Sequence, residues 1–250
     1  MKNLIIDEGN SFTKVAVYEN GAQLWYERFE RGSFEEGLRQ AINCSEIGAC
    51  IVASVVDGAE DRFFFLRREV GRVYFVSNAM PMPFTNRYAT PETLGVDRLA
   101  VMAAAVRRFP KRNVLVIDAG TCITFDVMTS GGDYLGGAIA PGLAMRLRAM
   151  HEFTAKLPQV AEQDFDITHF IGDTTVGCML SGVYHNVVCE IDGVVERYRE
   201  RFGDLVVVLT GGNYFYLEKR IKSCNFASSF FLLEGLNVIL EHQEQGEGRY

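Results

Sequence analysis

A chain of 250 residues, 48% of them hydrophobic, has enough apolar side chains for one large domain or two modest ones, which excludes a disordered chain. A formal charge of −7, with only short basic runs at Arg67-Arg68 and from Arg107-Arg108 to Lys111-Arg112, excludes nucleic acid as the main partner. Six cysteines without a Cys-x-x-Cys pair, four histidines without His-x-x-x-His spacing, no apolar run of membrane-spanning length and an acidic residue as early as Asp7 together predict a reduced, cytoplasmic protein with no membrane partner.

In chain order, Leu4-Ile5-Ile6 reads as a buried strand, Asp7-Glu8-Gly9-Asn10 as a polar turn and Val15-Ala16-Val17-Tyr18 as a second strand, so the chain is expected to open with a β-hairpin. Residues 50–56 and 72–76 are expected core strands with a helix over 63–70 between them, and the alanine-rich stretch 97–108 is an expected helix. From Asn113 the opening order returns. An apolar strand leads into Asp118-Ala119-Gly120-Thr121, and a second strand runs over 124–128. Beyond it, 174–201 reads as a long helical region broken once, 205–209 as a strand running into Thr210-Gly211-Gly212-Asn213, and 232–243 as a closing helix.

Aligned on the two aspartates, Gly9 falls on Gly120, Thr13 on Thr124 and Val17 on Met128. A period this long predicts a duplicated domain instead of a short-repeat solenoid. Proline and charges at 109–113 place the boundary there, giving domains 1–111 and 112–250. The expected fold class is α/β, in two related halves with a cleft between them.

A glycine-containing turn aims several backbone N–H groups at one anion, and an adjacent carboxylate holds the metal or its waters that accompany nucleotide phosphates. Asp7-Glu8-Gly9-Asn10-Ser11 supplies both, and Lys14 adds a charge able to reach a phosphate. One such turn is also an ordinary hairpin. Two on equivalent strands favour phosphate binding.

Asp7-x-Gly9-Asn10-Ser11-x-x-Lys14 and Asp118-x-Gly120-Thr121 resemble the two phosphate motifs of the actin, hexokinase and acetate-kinase superfamily, whose domains are actin-like (ribonuclease H-like). Gly95-Val96-Asp97-Arg98, preceded by Asn86-Arg87-Tyr88, resembles the substrate motif of type III pantothenate kinases. The stretch 136–142 resembles their interface motif, Thr210-Gly211-Gly212-Asn213 their adenosine motif and Leu233-Glu234-Gly235-Leu236 their ending, all in unbroken order. Ser11 stands where threonine is usual and Cys122 where alanine is common, and neither change disturbs a charge or a glycine.

The resemblance implies ATP-dependent phosphorylation of pantothenate, the entry step of coenzyme A synthesis. It implies ATP contacts over Asp7, Glu8, Gly9, Asn10, Ser11, Phe12, Thr13 and Lys14 and at Thr121, with Mg²⁺ accompanying the nucleotide. Asp97 is the implied general base, and Tyr88, Gly95, Val96, Arg98 and Thr175 the pantothenate contacts. Asp118 is the implied ligand of a monovalent cation, potassium or ammonium, and the family's homodimer would let Thr175 act across an interface. Two other readings stay open: a small-molecule kinase of the same superfamily with another acceptor, and a regulator that binds ATP without transferring phosphate.

Overall fold

The computed structural model describes residues 1–9, 12–30, 34–56, 58–161 and 170–247. β1 (Lys2–Glu8) pairs antiparallel with β2 (Phe12–Glu19), and β2 with β3 (Ala22–Glu30), while β4 (Ile47–Ser54) runs parallel to β1 and β5 (Arg72–Phe75) parallel to β4. The sheet order is β3-β2-β1-β4-β5. Successive side chains on a strand point to opposite faces, and both faces of this sheet are covered, which is why β1 reads as a continuous apolar run. Leu4, Ile6, Val15, Cys50 and Val52 bury against α1 (Phe34–Ala41) and the segment around Phe63 and Leu66. Ile5, Ala16 and Ile51 bury against α4 (Val96–Arg108) and α8 (Phe231–Glu247).

The helix expected over 63–70 is instead two short ones, α2 (Ala59–Arg62) and α3 (Leu66–Glu69). Phe63, Leu66 and Val70 all enter the core, and the chain reaches them with tight bonds from Leu66 N–H to Phe63 O, Arg67 N–H to Phe64 O and Arg68 N–H to Phe65 O. Those i to i+3 bonds are 3₁₀ geometry, which does not propagate far.

The second half repeats the first. β7 (Asn113–Ala119) pairs antiparallel with β8 (Cys122–Met128), β9 (Asp133–Pro141) lies beside β8, β10 (Leu205–Thr210) runs parallel to β7, and β11 (Phe226–Ala227), reached through α7 (Tyr214–Leu217), runs parallel to β10. The order β9-β8-β7-β10-β11 is that of the first sheet, strand for strand, so the duplication extends beyond the motifs to the whole strand topology. β6 (Thr85–Asn86) pairs with Asp133 and Tyr134 at the start of β9.

Between β9 and β10 lie α5 (Leu143–Glu152) and α6 (Thr175–Phe202). The break expected in the latter is absent: α6 runs 28 residues without interruption. Gly182 and Gly193 lie inside it, each costing about 1 kcal/mol relative to alanine. The stripe Met179, Val183, Val187, Ile191 and Val195 is buried against the strands of its sheet and outweighs that cost.

Two compact units result, Met1–Pro110 with Gly132–Tyr134 and everything from Phe230 onward, and Lys111–Gly131 with Leu135–Ser229. They differ from a simple cut at 111/112. α8 follows the second set of strands in sequence but buries Leu233, Leu236, Ile239 and Leu240 in the core of the first unit, and Asn3 Nδ2 donates to Asn237 Oδ1 at 2.9 Å. Among the described residues, no helix is long and apolar enough to cross a membrane.

Candidate active site

In the first unit, cross-strand register sets Lys14 opposite Asp7, and its ammonium lies 3.1 Å from Asp7 Oδ2. Asp7 is only 9% exposed. Burial pushes its carboxyl above the usual carboxylate range; the Lys14 ammonium pulls it back, and the charge of Asp97 pushes it up again.

Glu8, one residue on, must face the other way. It does, and is 2% exposed. Arg62 holds it through Nε to Oε1 at 3.0 Å and Nη2 to Oε2 at 2.6 Å, and Ser54 Oγ donates to Oε2 at 2.6 Å. Val55 N–H donates to Glu8 O at 3.2 Å, so both backbone and side chain of Glu8 fasten the end of β1 to the segment after β4. Nothing in the sequence signals this fastening, because the pairing depends on where α2 lies. Thr13, opposite Glu8, is buried on that same face. Of the residues expected to contact ATP, Asp7 and Lys14 therefore share one face and Glu8 and Thr13 the other. Gly9 N–H closes the turn on Phe12 O at 3.0 Å, and Arg28 lies 4.2 Å from the Phe12 ring centroid. Asn10 and Ser11 lie outside the described residues.

Gly95 precedes α4, and Asp97 lies in its first turn, where Asp97 Oδ1 accepts from Arg98 N–H at 2.8 Å. An anion there is favoured by the helix dipole and held in one orientation. Arg98 is buried, 6% exposed, with its guanidinium 5.5 Å from the Tyr88 ring centroid. Tyr88 stacks on Tyr134 at 6.2 Å with planes 6° apart, and its backbone N–H donates to Asn86 Oδ1 at 2.9 Å. Sequence reasoning missed Tyr134, whose role depends on the β6–β9 pairing. Val96 packs on the apolar core.

A Cβ at Gly95 would strike Asp97 Oδ1, the movable end of a side chain, while the backbone there (φ −62°, ψ 136°) suits alanine. Gly95→Ala is therefore expected to leave the melting midpoint unchanged or slightly raised yet lower kcat on the order of 10²-fold, since small displacements of a reacting group cost that much. Steady-state kinetics beside a thermal melt check it.

In the second unit, Asp118 is opposite Thr124 on β8 and beside Thr210 on β10. The two hairpins are not the same length. Four residues, Gly9 to Phe12, separate the last pair Glu8↔Thr13, but three, Gly120 to Cys122, separate Ala119↔Ile123. Aligning the aspartates by sequence matched Thr124 with Thr13, whereas the register matches it with Lys14.

Gly211, at φ +96°, allows its turn to press against Asp118: a Cβ would collide with Asp118 Oδ1 and the Ala119 backbone. Asn213 N–H donates to Ala119 O at 2.9 Å and Gly142 N–H to Thr121 O at 3.0 Å, so the turns at 120–121, 142 and 211–213 gather around the end of β7. Thr121 is exposed there. Thr175 begins α6, but the cap is Thr174, whose Oγ1 accepts from Gly177 N–H at 3.0 Å; Thr175 is exposed and serves no capping role. Among the described residues, no three His, Cys, Asp or Glu side chains converge as a metal site.

The sequence profile of type III pantothenate kinases matches residues 3–197. The chain belongs to the type III pantothenate kinase family. The type III pantothenate kinase of Flavobacterium johnsoniae is 41% identical over 245 residues, covering 96% of this chain and 98% of its own length, and that of Christiangramia forsetii is 42% identical over 240 residues, again 96% and 98%. That of Bacteroides fragilis is 38% identical over 240 residues with the same coverage. Among solved structures, a Baf-family protein of Campylobacter jejuni superposes with a TM-score of 0.63 at 17% identity, covering 97% of this chain and 99% of its own. The ROK hexokinase of Thermus thermophilus gives 0.51 at 16% identity, covering 97% and 100%. At those identities the structures establish the fold alone, and it is that of the two-domain actin-like kinases.

Proposed function

We propose that the chain transfers the terminal phosphoryl group of ATP to the 4'-hydroxyl of pantothenate, giving ADP and 4'-phosphopantothenate, the first step of coenzyme A biosynthesis. The observation that carries the reading is the pairing, within one unit, of a phosphate-type turn bearing Asp7 and Lys14 with a helix-anchored carboxylate, Asp97, near enough to raise Asp7's affinity for protons.

Phosphoryl transfer leaves the protein mainly positioning and charge neutralisation to supply. Lys14 is placed to exchange its contact with Asp7 for a phosphate oxygen. Asp97 accepts the proton of the attacking hydroxyl as the new O–P bond forms and the bond to ADP breaks. Tyr88 and Arg98 position pantothenate, the guanidinium fork suiting its carboxylate. Mg²⁺ bound with ATP supplies neutralisation of phosphate charge, and Asp7 would hold the ion or its waters.

In the second unit, Thr121 contacts the nucleotide and Asp118 holds a potassium or ammonium ion. The site fits such an ion. The Asp118 carboxylate stands across from the buried hydroxyl of Thr124, whose Oγ1 has no hydrogen-bond partner among the described residues, and the buried Asp126 shares that face of β8. The exposed Thr175 serves a substrate site completed in a homodimer.

Purified protein with ATP, Mg²⁺ and K⁺, offered pantothenate, hexoses or acetate in turn, tests the reading through ADP release. Turnover with pantothenate is expected. Turnover with a hexose or acetate instead would assign another acceptor, and ATP binding without turnover would make the chain a binding protein.

A further inference from the structure

Lys14 and Thr124 occupy one structural position in the two copies of the hairpin, each directly across from the aspartate that ends the preceding strand. In the first copy the aspartate meets a covalently attached cation, the Lys14 ammonium, 3.1 Å from Asp7 Oδ2. In the second copy the residue across is neutral. Ile117, Ala119, Ile123, Phe125 and Leu209 turn to the apolar core on one face of the sheet, so Asp118, Thr124 and Thr210 share the opposite face, in a row across β8, β7 and β10.

Thr124 is 9% exposed and its Oγ1 makes no hydrogen bond among the described residues. Leaving a buried hydroxyl unsatisfied costs about 1–3 kcal/mol, so a ligand that takes up its lone pairs recovers that amount. Thr210, on the other flank, is buried as well. Asp118 lies between two hydroxyl-bearing strands, and the fully buried Asp126, two residues beyond Thr124 on the same face of β8, adds a second carboxylate to these hard oxygen donors. Ammonium fits by the same chemistry, donating to the carboxylate and to the hydroxyl oxygen.

We infer that Thr124 is a ligand of the monovalent cation held at Asp118, and that this cation fills the place taken in the first hairpin by the ammonium of Lys14. The inference rests on the reading of Asp118 as the cation's carboxylate. It gives the duplicated hairpins one electrostatic plan, an aspartate facing a single positive charge, met once by a side chain and once by an ion. The shorter second turn brings a threonine instead of a lysine to that position.

Thr124→Val removes the hydroxyl and keeps the β-branched shape, so the strand is retained. The test measures two quantities in KCl–choline chloride mixtures of constant ionic strength: the K⁺ concentration giving half-maximal rate, and the K⁺ concentration giving half of the rise in melting midpoint with ADP present. Thr124→Val is expected to raise both by about tenfold or more, with the rate restored at high K⁺, and Thr124→Ser to return both near wild type. Asp118→Asn is expected to abolish the K⁺-dependent rise in melting midpoint. Thr124→Lys, which places an ammonium opposite Asp118, is expected to turn over in choline chloride alone. Unchanged K⁺ dependence in Thr124→Val, with Asp118→Asn having lost it, overturns the inference while leaving the cation site at Asp118. A K⁺ response that survives Asp118→Asn removes the site itself.

Discussion

Asp97→Asn is expected to lower kcat by about 10²–10⁴-fold, the range a positioned general base contributes, while the KM for ATP and the melting midpoint stay near wild type. The substitution is unusually clean at this position. Asp97 Oδ1 accepts from Arg98 N–H at 2.8 Å, and an asparagine carbonyl accepts the same bond, so the start of α4 is preserved. What is lost is the capacity to take a proton. The competing account makes Asp97 a helix-terminus charge, whose removal costs about 0.3–1 kcal/mol of stability and spares the rate. Kinetics and a melt on one preparation distinguish the two: a rate loss without destabilisation assigns the base, and destabilisation without a rate loss removes it. The neighbouring Gly95→Ala is expected to reproduce part of the rate loss by moving the same carboxylate.

Asp7→Asn is expected to lower kcat by about 10²-fold or more, as losing one preorganised electrostatic group does, yet to raise the melting midpoint at neutral pH by on the order of a few degrees. The stability gain follows from the direction of the shift. Burial raises the Asp7 carboxyl above its unfolded value, more than Lys14 offsets, and Asp97 adds to it. A carboxyl raised on folding contributes stability that is fully present below its unfolded pKa and is lost as pH rises through the folded pKa. As pH rises through the raised pKa the wild type loses that contribution, and the neutral asparagine has nothing to lose. The difference in melting midpoint should shrink as pH falls through the raised pKa of Asp7 toward the ordinary carboxylate value near ~4, below which the carboxyl is protonated folded and unfolded alike. A midpoint difference independent of pH would remove the electrostatic explanation.

The hairpins, the twin Asp-x-Gly turns and the ordered family motifs were legible because each is a local pattern: apolar runs long enough for a strand, a glycine where the chain reverses, an aspartate in the turn. The features that escaped depend on distant segments. Alternation along β2 and β8 does not count the residues in the preceding turn, so the one-residue difference that puts Lys14 opposite Asp7 but Thr124 opposite Asp118 is visible only in the register. Glu8 looked like a member of the phosphate turn, yet strand alternation turns it away from Asp7, and Arg62 and Ser54 claim it from other elements. Tyr134 joins Tyr88 only through pairing of β6 with β9. The continuity of α6 depends on burial of its apolar stripe, which overrides two interior glycines, and the packing of α8 on the first unit depends on which sheet face lacks a cover.

We propose that the acceptor is an alcohol, activated by Asp97 and phosphorylated from a nucleotide bound at the Asp7 turn. Phosphorus–proton correlation NMR on the product of ATP and pantothenate decides this, because it identifies the oxygen that carries the phosphate. A phosphomonoester coupled to the 4'-methylene protons, absent with Asp97→Asn, is the predicted result. Phosphate on the pantothenate carboxylate, as an acyl phosphate, or no phosphorylated pantothenate at all would contradict it.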